Sequence, residues 1–425
     1  MIYLLMILLL FLLVLSLNQK KGNAIVFNTI WLVSLAINSL CYDVIDEPST
    51  ESIFYILIFI LAFNIGCYII SDNTVGIRFG QAKNAILKYK LNKKLFIIVN
   101  LLVTTYFFVK YTIKSIQITA EYGLWQTRVS AYLADEAYFG STMDLYIAQQ
   151  LIYGVFYTSM IIGIIEMVKG KQKYGWINII GVLQMVLYSF TFKGRSAIVS
   201  VIFYLVITFF VFFKNRSNNL DKKRKKKIRN KVIPIVIIVL VYVAFLSISR
   251  FGGTAQIKKY FVIYFGGAVT YLSKLVDTAP VAYVPGRFSL CGVLDFLKLI
   301  INVLFGTSLK LGGNEIGKFI DGATNIGGGL SINAMCSSVF YFYIEFGLLG
   351  IISGGFLTGS ITSIIQQRYK HYPNERNLVI YILSLYLIFY TYSGWSLKYL
   401  YFWLVPVLFA FFYRKEYDNE LQCYG

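Results

Sequence analysis

Apolar runs of roughly 20 residues return along this chain from its first residue to about residue 413, and roughly 20 apolar residues is the length a helix needs to cross a bilayer core of about 30 Å. Read with that window, the sequence predicts about eleven spans, near 1–18, 23–42, 53–71, 95–115, 144–168, 176–192, 196–213, 232–249, 336–365, 378–394 and 399–413. The tenth is short, and the ninth is long enough for a tilted or broken helix. Composition agrees: 57% of the residues are hydrophobic, 14% are charged and the mean hydropathy is +0.66, outside the range of soluble globular domains. The runs leave no room for a separate soluble domain. The expected fold is an all-α polytopic membrane protein, with residues 1–425 forming a single membrane domain.

A net charge of +20 raises the question of nucleic acid, but the basic residues fall mainly between apolar runs, where lysine and arginine set membrane orientation. Lys20 and Lys21, the 72–94 segment, the 169–173 turn, the 214–231 segment, Arg368 to Arg376 and the tail from Arg414 all fall on one side of eleven alternating spans. By the positive-inside rule that side is cytoplasmic, which puts the N-terminus outside and the C-terminus inside. The polybasic 214–231 loop holds a Lys-Lys-Arg-Lys-Lys-Lys run at 222–227, readable as an orientation signal or as a contact for anionic membrane lipids. His371, the single histidine, lies on the same side. The opposite face receives two sizeable connections, 116–143 and 250–335, and connections much longer than about 15 residues usually carry function. The larger, rich in glycine pairs and aromatic residues, is expected to fold as a cap of short interfacial helices. No internal repeat marks an inverted-repeat transporter.

Several chemistries find no support. Cys41, Cys67, Cys291, Cys336 and Cys423 are scattered without CxxC spacing or nearby histidine, which suggests neither zinc nor a disulfide framework. The first apolar run has no basic region before it and no small-residue cleavage site after it, so it is expected to stay as a span. No phosphate-binding GxxxxGK[ST] loop, HExxH, G-x-S-x-G elbow or DxD pair is present, and nothing calls for a nucleotide donor, metal or other cofactor.

The informative residues are the basic ones on the outer face. Arg128 lies in the first large loop, Lys193 and Arg195 flank Gly194 in a tight turn between two spans, Arg250 ends a span, and Arg287 sits in Pro-Gly-Arg-Phe of the large loop. An anionic ligand at headgroup level would hold them there, because guanidinium groups pair with phosphate oxygens by two parallel hydrogen bonds. The alternative is that they snorkel or pair with Asp135, Glu136, Asp277 or Asp295. Glu345 lies inside the ninth span, where an ionisable group is costly. It would serve either as a general base toward a sugar hydroxyl or as the mate of a rim arginine. Glu315, Asp321, Asp277 and Asp295 are weaker candidates.

Together the Lys193-Gly194-Arg195 turn, the Arg250 exit, Tyr264-Phe265-Gly266-Gly267, and Asn325 to Asn333 followed by Tyr341 to Gly350 resemble the Wzy-type O-antigen and capsule polymerases, the oligosaccharide repeat unit polymerase family. The likeness in architecture covers nearly the whole chain. The resemblance implies a membrane-embedded, GT-C-like glycosyltransferase in the bacterial inner membrane. It would move a growing glycan from undecaprenyl diphosphate to an incoming lipid-linked repeat, without a metal. A flippase and a chain-length regulator are its expected protein partners, and nucleic acid is not. On that likeness Arg195 and Arg250 hold the diphosphate and stabilise it as it leaves, with Glu345 as base. Arg128, Lys193, Arg287, Tyr264 and Asn333 place donor or acceptor. Two departures stand out. Some members separate an outer-loop arginine from a glycine by ten residues, whereas Arg128 and Gly140 are one residue further apart and Arg250 has no such glycine. The related O-antigen ligases are associated with an outer histidine, which this chain lacks. A flippase of the same lipids, the non-enzymatic alternative, would place basic residues deep in a cavity between two similar halves.

Overall fold

The computed structural model describes residues 1–70, 88–132, 140–169, 176–216, 262–333 and 335–416. In chain order these form α1 (Ile2–Asn18), α2 (Gly22–Ser39), α3 (Thr50–Ile69), β1 (Lys88–Leu91) and α4 (Lys93–Phe107), which runs through a π turn (Phe108–Thr112) into α5 (Ile113–Tyr132). Next come α6 (Thr142–Tyr146), a second π turn (Ile147–Ile152), α7 (Tyr153–Lys169), α8 (Ile177–Phe192) and α9 (Ser196–Arg216). The later part holds α10 (Gly267–Thr278), α11 (Cys291–Phe305), α12 (Gly312–Ile320), a hairpin of β2 (Thr324–Asn325) and β3 (Ser331–Ile332), then α13 (Ser338–His371), α14 (Glu375–Tyr390), α15 (Leu400–Phe412) and β4 (Tyr413–Glu416).

A helix covers each expected span that falls among the described residues, while the 232–249 run, Arg250 and the 222–227 basic run lie outside them. Among the described residues five helical stretches are long and apolar enough to cross a membrane: Gly22–Ser39, Thr50–Ile69, Lys93–Leu124, Met143–Met167 and Ser338–His371. Their outward faces are apolar too, with Leu101, Leu102, Val109 and Leu349 largely exposed. In water such continuous apolar surface would drive aggregation; in lipid it is ordinary solvent contact. The molecule is an all-α membrane protein. One boundary differs from expectation. The fourth helix does not stop near residue 115 but continues to Tyr132, broken at Gly123, whose φ of 82° only glycine adopts easily. Gln117 and Glu121 end the apolar run without ending the helix, because outside lipid a helix needs no apolar surround.

The chain forms two compact units, Met1–Ile86 with Ala255–Tyr399, and Leu87–Thr254 with Leu400–Gly425. In the first, α3 packs along α13 through small residues. A Cβ on Gly359 would press into the Phe63 carbonyl oxygen and one on Gly66 into that of Phe356, while a Cβ on Gly355 would lie 2.9 Å from the Phe59 carbonyl oxygen. Such small-xxx-small faces let backbones approach where lipid supplies no hydrophobic drive. Interhelical polar bonds join them: Asn28 and Asn64 exchange amide hydrogen bonds of 3.0 and 2.9 Å, and Trp31 Nε1 donates to Thr391 Oγ1 at 3.1 Å.

In the second unit, α7 and α8 meet at Gly181, whose Cβ would run into the backbone of Ser159 and Met160. Asn100 Oδ1 of α4 accepts from Ser159 Oγ (2.6 Å) and Gln184 Nε2 (2.8 Å), tying α4, α7 and α8. The first π turn is joined to α6 by a Lys110–Asp144 ion pair, and β1 pairs antiparallel with β4.

Candidate functional site

The site-bearing stretch of the first unit is built around a break in α13. Phe346 (φ −147°, ψ 19°) and Gly347 (φ 57°, ψ −137°) leave helical geometry, and Gly347 holds a backbone conformation that side chains oppose. The break frees the Ile344 carbonyl, which accepts from Ala282 N at 2.7 Å. One residue on, Glu345, only 4% exposed, accepts from the backbone N–H of Gly286 (3.2 Å), Phe288 (2.7 Å) and Ser289 (2.6 Å) and from Ser289 Oγ (3.0 Å). A buried carboxylate needs this many donors to persist as an anion. Glu345 thus fastens the 286–289 turn to the helix, a third alternative to the base or arginine mate expected from sequence.

That turn carries Arg287. Its guanidinium forms an ion pair with Glu315 of α12, rather than with the acids proposed from sequence, and the turn is anchored from the other side by the 395–398 segment. Trp395 Nε1 donates to the Ser289 carbonyl at 2.7 Å, and Cys291 Sγ to that of Lys398 at 3.5 Å. Asp295 closes the base of α11 by accepting from Gly312 N and Gly313 N, both at 2.7 Å.

Lys398 lies half-buried in a short 3₁₀ turn between α14 and α15. Its ammonium donates to Tyr341 Oη at 2.6 Å and sits 5.2 Å from the Tyr341 ring centre and 4.8 Å from that of Tyr399. Asp321, at the end of α12, lies within reach of its field. Burial pushes that carboxyl above the usual carboxylate range, with Lys398 opposing the shift. Asn333 Nδ2 donates to the Asp321 carbonyl at 3.5 Å, so one sequence-predicted residue stands beside an acid the sequence ranked low.

The aromatic-glycine stretch has a packing reason. A Cβ on Gly266 would lie 2.9 Å from Asn38 N, and Asn38 Nδ2 donates to the Gly266 carbonyl at 3.0 Å. Tyr264 is half-buried just before it. The Gly327-Gly328-Gly329 run is the hairpin turn, all at positive φ, laid against residues 44–46.

The remaining candidates belong to the second unit. Lys193 caps α8 in the left-handed region (φ 52°). It is 5% exposed, its ammonium sits 4.0 Å from the Phe190 ring centre, and burial lowers its pKa. Arg195 precedes α9 and Arg128 lies on α5 beyond the Gly123 break; both are half-buried. The structure therefore brings together Glu345, Arg287, Asn333 and the weaker candidate Asp321 with the unpredicted Lys398 and Tyr341, and it brings Lys193 and Arg195 into one turn. Lys398 was within reach of sequence reasoning. On the eleven-span assignment it is a basic residue in an outer-face turn, the same signal that singled out Arg195.

These features define an all-α membrane protein whose described segment between α9 and α13 folds into short helices and a hairpin bearing buried and half-buried ionisable groups. No protein-family model, curated protein or solved structure matches the chain.

Proposed function

We propose that this chain is a polymerase of lipid-linked oligosaccharide repeat units, an inner-membrane glycosyltransferase of about eleven spans whose reaction takes place on the outer face. The bond from the growing glycan to undecaprenyl diphosphate breaks and a glycosidic bond to the incoming repeat forms. The diphosphate keeps the electron pair and a carboxylate takes the proton of the attacking hydroxyl. What carries this reading is Asp321: an acid reachable from solvent, with raised proton affinity, in the same folded segment as Arg287 and beside Asn333. A base poised above the ordinary carboxylate range suits a hydroxyl at neutral pH.

In this scheme Arg195 and Arg250 hold and stabilise the leaving diphosphate. Arg128, Lys193 and Tyr264 help to seat the two lipids, and Asn333 lies where an acceptor sugar meets Asp321. Glu345 acts through the turn it fastens, positioning Arg287, whose guanidinium exchanges Glu315 for an anionic group of the substrate. The decisive experiment is chain extension by the purified protein supplied with lipid-linked repeats alone. Longer glycans are expected, with Asp321→Asn slower by about 100-fold or more and Arg195→Ala inactive. Transbilayer movement of the lipid in vesicles without extension would make the chain a flippase instead.

A further inference from the structure

An ammonium group carries three donors and no acceptor. Lys398 spends one on Tyr341 Oη, and among the described residues no carboxylate lies in ion-pair contact with it. Its position is not the loose one of a surface lysine. The Tyr341 and Tyr399 rings wall the ammonium. The backbone carrying it is pinned through the Lys398 carbonyl to Cys291 and, three residues earlier, through Trp395 to Ser289. Two hydroxyls on the same converging segments, Ser396 and Ser337, are buried with no hydrogen-bond partner among the described residues. A cation fixed in place with two donors unspent is built to receive an anion. One feature favours a phosphate over a carboxylate: the donors diverge from a point charge, which suits a tetrahedral oxyanion rather than a planar one needing a fork.

We infer that Lys398, held by Tyr341 and walled by Tyr399, forms a binding site for a phosphate oxyanion. This site does not depend on the polymerase reading, and it differs from the arginines assigned to the leaving diphosphate.

The test uses the full-length protein in maltoside micelles free of phospholipid, titrated calorimetrically with inorganic pyrophosphate. Binding is expected in the wild type, weakened about tenfold or more in Lys398→Met by loss of a charge-assisted contact and largely retained in Lys398→Arg. Asp321→Asn is expected to bind several-fold more tightly at neutral pH, because a competing negative charge is gone. A second arm repeats the titration in nanodiscs containing anionic phospholipid. Competition there would identify headgroups as occupants, and its absence a soluble or carrier-linked phosphate; either supports an oxyanion site. Equal pyrophosphate affinity in wild type and a folded Lys398→Met would overturn the inference. So would an unchanged affinity in Asp321→Asn, which decides the matter should Lys398→Met not fold. Because no glycan is present, a negative result here leaves the extension assay untouched, and the reverse also holds.

Discussion

Glu345 and Asp321 belong to the same unit and meet opposite environments. Glu345 is buried yet surrounded by donors aimed at both oxygens, whereas Asp321 is reachable but poorly solvated, and the difference separates an anchor from the proposed base. Replacing Glu345 by Gln turns one acceptor into a donor facing backbone N–H groups. We expect Glu345→Gln to lose about 2 kcal/mol or more of stability, read as a lower unfolding midpoint and earlier proteolysis in the 280–290 turn. Normal stability with lost extension would instead return Glu345 to the role of base. Asp321 makes a prediction in pH. Its carboxyl must be ionised to accept a proton and its pKa is raised, so extension should fall on acidification at a pH above that of an ordinary aspartate. In Asp321→Asn this limb should disappear from the residual rate. Lys193 gives the converse sign. Burial lowers its folded pKa, so between that value and the ordinary lysine value of about 10.4 the unfolded chain binds more protons and stability rises with pH. Unfolding midpoints should climb through this window in wild type and stay flatter in Lys193→Met.

At the scale of elements, two features of α13 organise the first unit. Its small-residue face lets α3 approach until Gly359 touches the Phe63 carbonyl. Gly359→Val cannot be absorbed by a side-chain rotation, because the obstacle is backbone. It should destabilise the protein by about 1–3 kcal/mol, with the α3–α13 separation increased in distance measurements between spin labels on the two helices. The break at Phe346 and Gly347 is what offers the Ile344 carbonyl and the Glu345 carboxylate to the loop. The sequence allowed a broken helix over 336–365, and the Phe-Gly pair marks the place. That Glu345 would point at three backbone amides almost sixty residues earlier in the chain could not be read from it, because a turn's N–H groups leave no mark on composition. The same holds for Asp321, whose raised proton affinity comes from neighbours that the fold supplies.

For the whole molecule, the exposed apolar faces of the long helices are the physical reason for a bilayer, and the proposed orientation has a direct test. Gln19 and Ser308 are both exposed and, on eleven alternating spans, lie on opposite faces. In a background with Cys423 replaced by serine, an impermeant thiol reagent should label Ser308→Cys and spare Gln19→Cys in intact cells, and label both after lysis. Equal labelling of the two in intact cells would reject the span assignment.

The sequence by itself determined the class of solvent, the helices and most of their positions, because a bilayer demands apolar length and that demand is local and additive along the chain. It also marked Arg287 and the Lys193 turn through the placement of charge. Only the tertiary structure decided what the ionisable groups do. It bound Glu345 into a turn, mated Arg287 with Glu315, raised the proton affinity of Asp321 and gave Lys398 a tyrosine-walled seat. Each outcome depends on donors, rings and low-dielectric surroundings brought in from distant parts of the chain, and no pattern of spacing encodes them.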